Sequence, residues 1–205
     1  NVYHALGSYK RFPSLVSYSN NNIGKNAKGA GSFRDNANNI FNFVATKTDI
    51  YQLASGTFTS RKSGLTGGED DFFTFTQFGN YVIASNGVDQ PQYYLMGTST
   101  NFANLNAIQS AGTTPLFRVS GVVRDFLVSG NISTATNRIH WSGINDISAW
   151  SGKQSDFQDL PGSGGKIVHV TSGEVGYVFR QNQIIRMDYV GGAVVFRLSV
   201  ISPHR

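Results

Sequence analysis

At 205 residues the chain is long enough for one large all-β domain or two small ones, and 40% hydrophobic residues set it apart from a disordered chain. Only 14% of residues are charged, against roughly 25% in an average soluble domain, so polarity comes instead from Asn, Ser, Thr, Gln and 23 glycines. The lack of cysteine excludes a disulfide framework and a thiolate metal site, no apolar run reaches the ~18 residues of a membrane span, and the net charge of +5 is compatible with nucleic-acid contact without requiring it.

Residues 1–32 read as an extended, loop-rich segment, and 33–205 as one β-domain expected to continue past the visible C-terminus, because the chain stops directly after the strand-like VVFRLSVIS. From the N-terminus onward, apolar residues alternate at period two between Gly, Asn, Asp and Ser turns, the pattern of half-buried strands. The clear cases are DIYQLA (49–54), NYVIAS (80–85), DFLVSG (125–130) and VVFRLSV (194–200). A further strand, Phe72-Phe73-Thr74-Phe75, follows an acidic stretch. Helical periodicity is confined to 100–110, where Phe102, Leu105 and Ile108 suit a loop with one turn of helix.

The strands recur in pairs. The first member is an aromatic followed by aliphatics: NFVAT from Asn42, YVIAS from Tyr81, FLVSG from Phe126 and YVFRQ from Tyr177. The second carries apolar residues two apart: Tyr51 and Leu53, Tyr93 and Leu95, Ile139 and Trp141, Ile185 and Met187. Tyr51, Tyr93, Ile139 and Ile185 are separated by 42, 46 and 46 residues. Four units of short antiparallel strands at this period suggest the blades of a β-propeller, which must stack to bury their faces; an evenly spaced sandwich or barrel is the competing architecture. Aligning the units makes these eight residues, with Trp150, the expected core.

The stretch NRIHWSGINDISAW (137–150) collects residue types found in catalytic sites. Its alternation sends Ile139 and Trp141 to the core and His140 to the other side, in a slot held by Gln52, Tyr94 and Arg186 elsewhere. That variability marks a solvent- or neighbour-facing position. Ser142-Gly143 lacks the Gly-x-Ser-x-Gly elbow of hydrolases, and the stretch fails the Asp-box pattern of sialidases. Asn145 to Ser148 suit Asx-type turns, with Trp150 packing back over the hairpin.

Gly67-Gly68-Glu69-Asp70-Asp71 lacks the spaced ligands of a calcium loop and reads as a solvated loop tip. The four histidines, His4, His140, His169 and His204, have no metal-ligand spacing, so no metal or cofactor is expected. Gly162-Ser163-Gly164-Gly165-Lys166 and Lys28-Gly29-Ala30-Gly31 lack the context of a phosphate loop and read as inter-strand turns. Arg180, Arg186 and Arg197 lie on successive strands of one unit and suit a local basic face for DNA phosphates or for a neighbouring subunit.

NVYHALGSYKRFPSL (1–15), FGNYVIASNGVDQPQ (78–92), VVRDFLVSG (122–130), RIHWSGINDISAW (138–150), SDFQDLPGSGG (155–165) and GYVFRQNQIIRMDYVGG (176–192) occur in an order that resembles the tail hub or nozzle proteins of short-tailed phages. That family includes packaged-DNA stabilisation proteins and tail tubular B-type proteins. The resemblance implies a non-enzymatic, propeller-containing structural protein of the virion tail, assembled in the bacterial host cytoplasm. It implies a homohexameric ring below the portal and head–tail adaptor, in contact with tail fibre or spike proteins. Such a ring retains packaged double-stranded DNA and passes it, without sequence readout, at ejection. A carbohydrate-binding or carbohydrate-cleaving propeller of a receptor-binding tail protein is the alternative, with Trp141, Trp150, Tyr93 and Tyr94 as stacking surfaces. A scaffold propeller of cellular origin is a third.

Overall fold

The structure, a computed structural model, describes residues 2–5, 7–11, 17 and 19–202; His204 and parts of the 1–15 and C-terminal segments lie outside them. A two-stranded hairpin of β1 (Val2–Ala5) and β2 (Ser8–Arg11) comes first. Four sheets follow, each of four antiparallel strands paired in chain order. Blade 1 is β3 (Gly29–Arg34), β4 (Ile40–Ala45), β5 (Ile50–Ala54) and β6 (Thr57–Lys62). Blade 2 is β7 (Thr74–Phe78), β8 (Tyr81–Ser85), β9 (Gln92–Leu95) and the two-residue β10 (Ala103–Asn104). Blade 3 is β11 (Phe117–Val123), β12 (Phe126–Ile132), β13 (Ala135–Trp141) and β14 (Asp156–Asp159). Blade 4 is β15 (Ile167–Val170), β16 (Val175–Arg180), β17 (Gln183–Tyr189) and β18 (Phe196–Ser202). One 3-10 turn, Leu105–Ile108, leads out of blade 2. The chain is an all-β, propeller-like array of four blades.

The recurring pairs seen in the sequence are the second and third strands of each blade, β4–β5, β8–β9, β12–β13 and β16–β17. The first strands draw the blades together: β3 lies beside β7, β7 beside β11, and β11 beside β15. Their contacts are polar and close. Thr76 Oγ1 on β7 reaches the Ser120 carbonyl on β11 at 3.0 Å and the Ser120 hydroxyl at 2.9 Å. A Cβ on Gly29 would sit 2.4 Å from the Phe73 carbonyl oxygen, and one on Gly121 2.7 Å from that of Val170. Glycine is therefore dictated at both positions by backbone approach. This corrects the reading of Lys28 to Gly31 as a turn: Gly29, Ala30 and Gly31 are strand, and blade 1 begins at Gly29 rather than 33.

Three apolar clusters lie between successive blades. Phe43, Ala45 and Ile50 of blade 1 meet Val82, Ala84 and Tyr94 of blade 2. Ile83 of blade 2 meets Phe117 and Leu127 of blade 3. Phe126, Val128, Ile139 and Trp141 of blade 3 meet Ile167, Val178, Ile185 and Met187 of blade 4. Blades 2 and 3 are thus covered on both faces, and the second strands record it. All but one residue of β8, and all but one of β12, are buried, whereas β16 alternates strictly.

The expected core divides accordingly. Ile139, Trp141, Ile185, Met187 and Trp150 are buried. Tyr93 is half-buried against the cluster between blades 2 and 3, and Leu95 is half-buried. Tyr51 and Leu53 alternate with buried Ile50 and Gln52, so they lie on the face of blade 1 turned away from blade 2. The slot aligned with His140 is likewise not one environment, because Gln52 and Tyr94 are buried and Arg186 is exposed. A constant period does not preserve the face when the turns between second and third strands differ in length, since one residue of slip exchanges inside and outside.

Candidate functional site on one loop face

Each strand reverses the chain, so turns between second and third strands emerge on the same face of the array as the connections between blades. On that face the acidic stretch is not a free loop tip. The connection from β6 to β7 is fastened to three blades. Leu65 N–H donates to the Thr48 carbonyl of blade 1 at 3.0 Å. Thr66 donates through N–H, at 2.9 Å, and Oγ1, at 2.7 Å, to Asp89 of blade 2. Asp71 pairs with Arg118 at the start of β11 in blade 3, and Arg118 also donates to the Asp70 carbonyl at 3.2 Å. Asp71 folds back to accept the Gly68 N–H at 2.7 Å, a turn that Gly67-Gly68 permits by having no side chains.

Glu69 accepts from Lys28 Nζ at 3.0 Å and from Lys47 Nζ at 3.3 Å, both in blade 1. Hydrogen bonds from Lys28 and then Lys47 hold its carboxyl below the usual range. Beside it, Lys25 Nζ lies 2.5 Å from Asp49 Oδ2 and 3.2 Å from Thr48 Oγ1. Burial pushes the Asp49 carboxyl up, but hydrogen bonds from Lys25, Thr48 and Thr46 outweigh it and the net direction is down. Lys25, Asn26, Lys28, Lys47, Thr48 and Glu69 line a cavity of about 340 Å³. A second, of about 350 Å³, lies on the rim between Ser60, Arg61, Lys62 and Asn101; Arg61 is held there by Gln52 at 2.8 Å.

The stretch 137–150 is packed rather than open. Trp141 lies against Phe196 at 5.2 Å and its Nε1 donates to the Gln154 carbonyl at 2.8 Å. Trp150 packs on Phe117, and edge-on to the His140 ring at 5.1 Å. His140 is half-buried, with Nε2 3.2 Å from the Trp150 carbonyl, and burial foremost pushes its pKa down. Asp146 Oδ1 accepts the Ser148 N–H at 2.9 Å, closing an Asx turn that Lys153 braces from 2.7 Å. Of the four aromatics suited to stacking on sugars, Trp141, Trp150 and Tyr94 are no more than 4% exposed, leaving Tyr93 half-buried.

The three arginines do not share a face. Arg186 is opposite Ser199 and Arg197 opposite Asp188, which places Arg186, Asp188 and Arg197 on the outer face of blade 4. Arg186 donates to Asp188 at 2.9 Å. Arg180 has the other strand parity and is 5% exposed; its guanidinium binds the carbonyls of Pro161, Gly162 and Gly165 and the Gln183 side chain. It holds the glycine-rich turn rather than offering charge to a ligand. Among the described residues no group of three or more His, Cys, Asp or Glu side chains is placed to hold a metal ion, and no helix is long and apolar enough to cross a membrane.

Sequence reasoning missed Lys25, Lys28, Lys47 and Arg118, which come from the segment before β3, the β4–β5 turn and the start of β11. The available signal was sparseness: in a weakly charged chain, charges gathered next to turns are worth pairing across units.

No family model matches the sequence, and no curated protein matches it. Solved structures do. Virginiamycin B lyase from Staphylococcus aureus, a catalytically inactive variant with quinupristin, superposes with a TM-score of 0.56 at 10% identity, over 89% of this chain and 57% of that one. An auxiliary nutrient binding protein from Bacteroides thetaiotaomicron gives 0.56 at 11% identity, over 85% and 42%. A chain of the mitotic checkpoint complex gives 0.51 at 11%, over 91% and 60%. The chain spans less than two thirds of each, and the likeness is one of fold.

Proposed function

We propose that this chain is the propeller part of a structural assembly protein, a subunit of the nozzle or hub ring of a short-tailed phage tail that retains packaged DNA and passes it at ejection. The observation that carries the reading is how its charges are used. The acidic connection is strapped to three blades, Arg180 closes a turn, and Arg138 pairs with Asp159 at 2.7 Å, so charged side chains are taken up by internal contacts. A ring around DNA needs stiff modules with polar contacts and no base readout. The family-like segments from residue 78 onward fall on successive blades, from the end of β7 to just past β17, rather than on one loop.

Arg186 and Arg197, on the uncovered face of blade 4, suit a subunit contact better than a channel lining. The carbohydrate reading loses weight because both tryptophans are buried. The test is to sediment the purified protein and to probe purified tailed particles with antibody against this chain. The expected result is a closed oligomeric ring and label at the distal tail. A monomer absent from the particles would sink the proposal.

A further inference from the structure

In the cavity beside blade 1, two ammonium groups share one carboxylate. Glu69 offers one oxygen to Lys28 and the other to Lys47. Lys25, the third cation, is already neutralised by Asp49. The Lys28–Lys47 pair is therefore left one negative charge short.

We propose that this cavity is a receptor for a dianionic phosphate group, free or as a monoester, and that the Glu69 side chain is an internal stand-in which the phosphate displaces. The three participants differ in the way displacement requires. Lys28 is fixed independently of the Glu69 carboxylate: its side chain is 11% exposed, its Nζ donates to the Glu69 backbone carbonyl at 2.5 Å, and the Phe72 ring lies 5.5 Å away. Lys47 is 48% exposed and free to adjust. The Glu69 side chain is 69% exposed, so it can turn into water without opening the core. The loop that carries it stays in place through Thr66–Asp89 and Arg118–Asp71. A carboxylate supplies one negative charge, whereas a phosphate monoester supplies about 1.5 to 2 near pH 7, together with three acceptor oxygens. It thus completes the neutralisation that Glu69 leaves half done. The Asn26 and Thr48 side chains border the same space.

This inference does not depend on the assembly proposed above, since a monomer would bind the anion equally well. The test is amide-resolved NMR titration at low salt with inorganic phosphate and with glycerol phosphate, using acetate as a monoanion control. Saturable shifts are expected around residues 25–28, 47–48 and 69 for both phosphates and not for acetate. Glu69→Gln should tighten binding about two- to fivefold, the scale of one lost exposed ion pair. Lys47→Ala should weaken it severalfold while leaving the thermal melt unchanged. Glycerol phosphate should bind less well below pH ~6, where its second proton returns. The proposal is overturned if acetate and phosphate bind alike, if Lys47→Ala has no effect, or if neither the parent nor Glu69→Gln shows saturable shifts. Saturation by inorganic phosphate but not by the ester supports the site and restricts it to the free anion.

Discussion

Blades 2 and 3 differ from blades 1 and 4 in a way that the strands themselves record. In β12, neighbouring side chains point to opposite faces and both are buried, because a blade stands on either side: Phe126 faces blade 4 and Leu127 faces blade 2. In β16 the same alternation buries Val178 and leaves Phe179 half-buried on an uncovered face. A strand sequence therefore does not state its own environment; position in the stack decides whether a second apolar row is core.

The strongest way to break this comparison is to remove the same ring in both places. Phe126→Ala should cost about 3–5 kcal/mol in chemical denaturation. Phe179→Ala should cost less than ~1 kcal/mol in the free protein. Equal costs would mean that the face of blade 4 is covered in solution. Trp141→Ala should also cost about 3–5 kcal/mol and exceed His140→Ala, because Trp141 faces blade 4 and His140 only a partly covered side.

A smaller effect tests the strap across blades 1 to 3. Arg118→Met should lower stability by about 1 kcal/mol, and the difference should shrink at high salt, because the pair is partly exposed and screened. A salt-independent loss would assign the effect to packing of the arginine stem.

The smallest effect concerns pH. The His140 pKa is lowered in the folded chain from its ordinary 6.5, mainly by burial. On acidification the unfolded chain takes up this proton first, so stability falls as pH drops through 6.5 and toward the folded pKa, and it is full above 6.5. His140→Phe should flatten that part of the stability–pH curve.

The middle strands were legible because β4, β8, β12 and β16 carry the aromatic and aliphatic residues that register as strands in any setting. The first strands were less so, β7 (74–78) showing only as a strand at 72–75. β3 reads GAGSFR and spends its positions on close backbone approach, which has no hydrophobic period. Among the fourth strands β14 was equally quiet, reading DFQD with every residue exposed, whereas β18 showed in VVFRLSV. The face of β5 was misassigned for a different reason. Tyr51 and Tyr93 match in spacing but not in orientation, and orientation depends on turn geometry that spacing does not contain. The site was least visible, because Lys28, Lys47, Glu69, Asp71 and Arg118 become neighbours only once three blades are stacked.

The strap has a mechanical consequence. It spans the joints between blades 1, 2 and 3 with charged fasteners and stops there. The joint between blades 3 and 4 lacks that strap: beside its cluster around Phe126, Trp141 and Met187 it has backbone hydrogen bonds such as Gly173 N–H to the Val122 carbonyl at 2.8 Å and the exposed Arg124–Glu174 pair at 3.6 Å. All three joints bury an apolar cluster, so cold, which weakens apolar burial, loosens each of them. The strap adds a salt-sensitive fastening to the first two, so raising ionic strength should soften that end of the array more than the other.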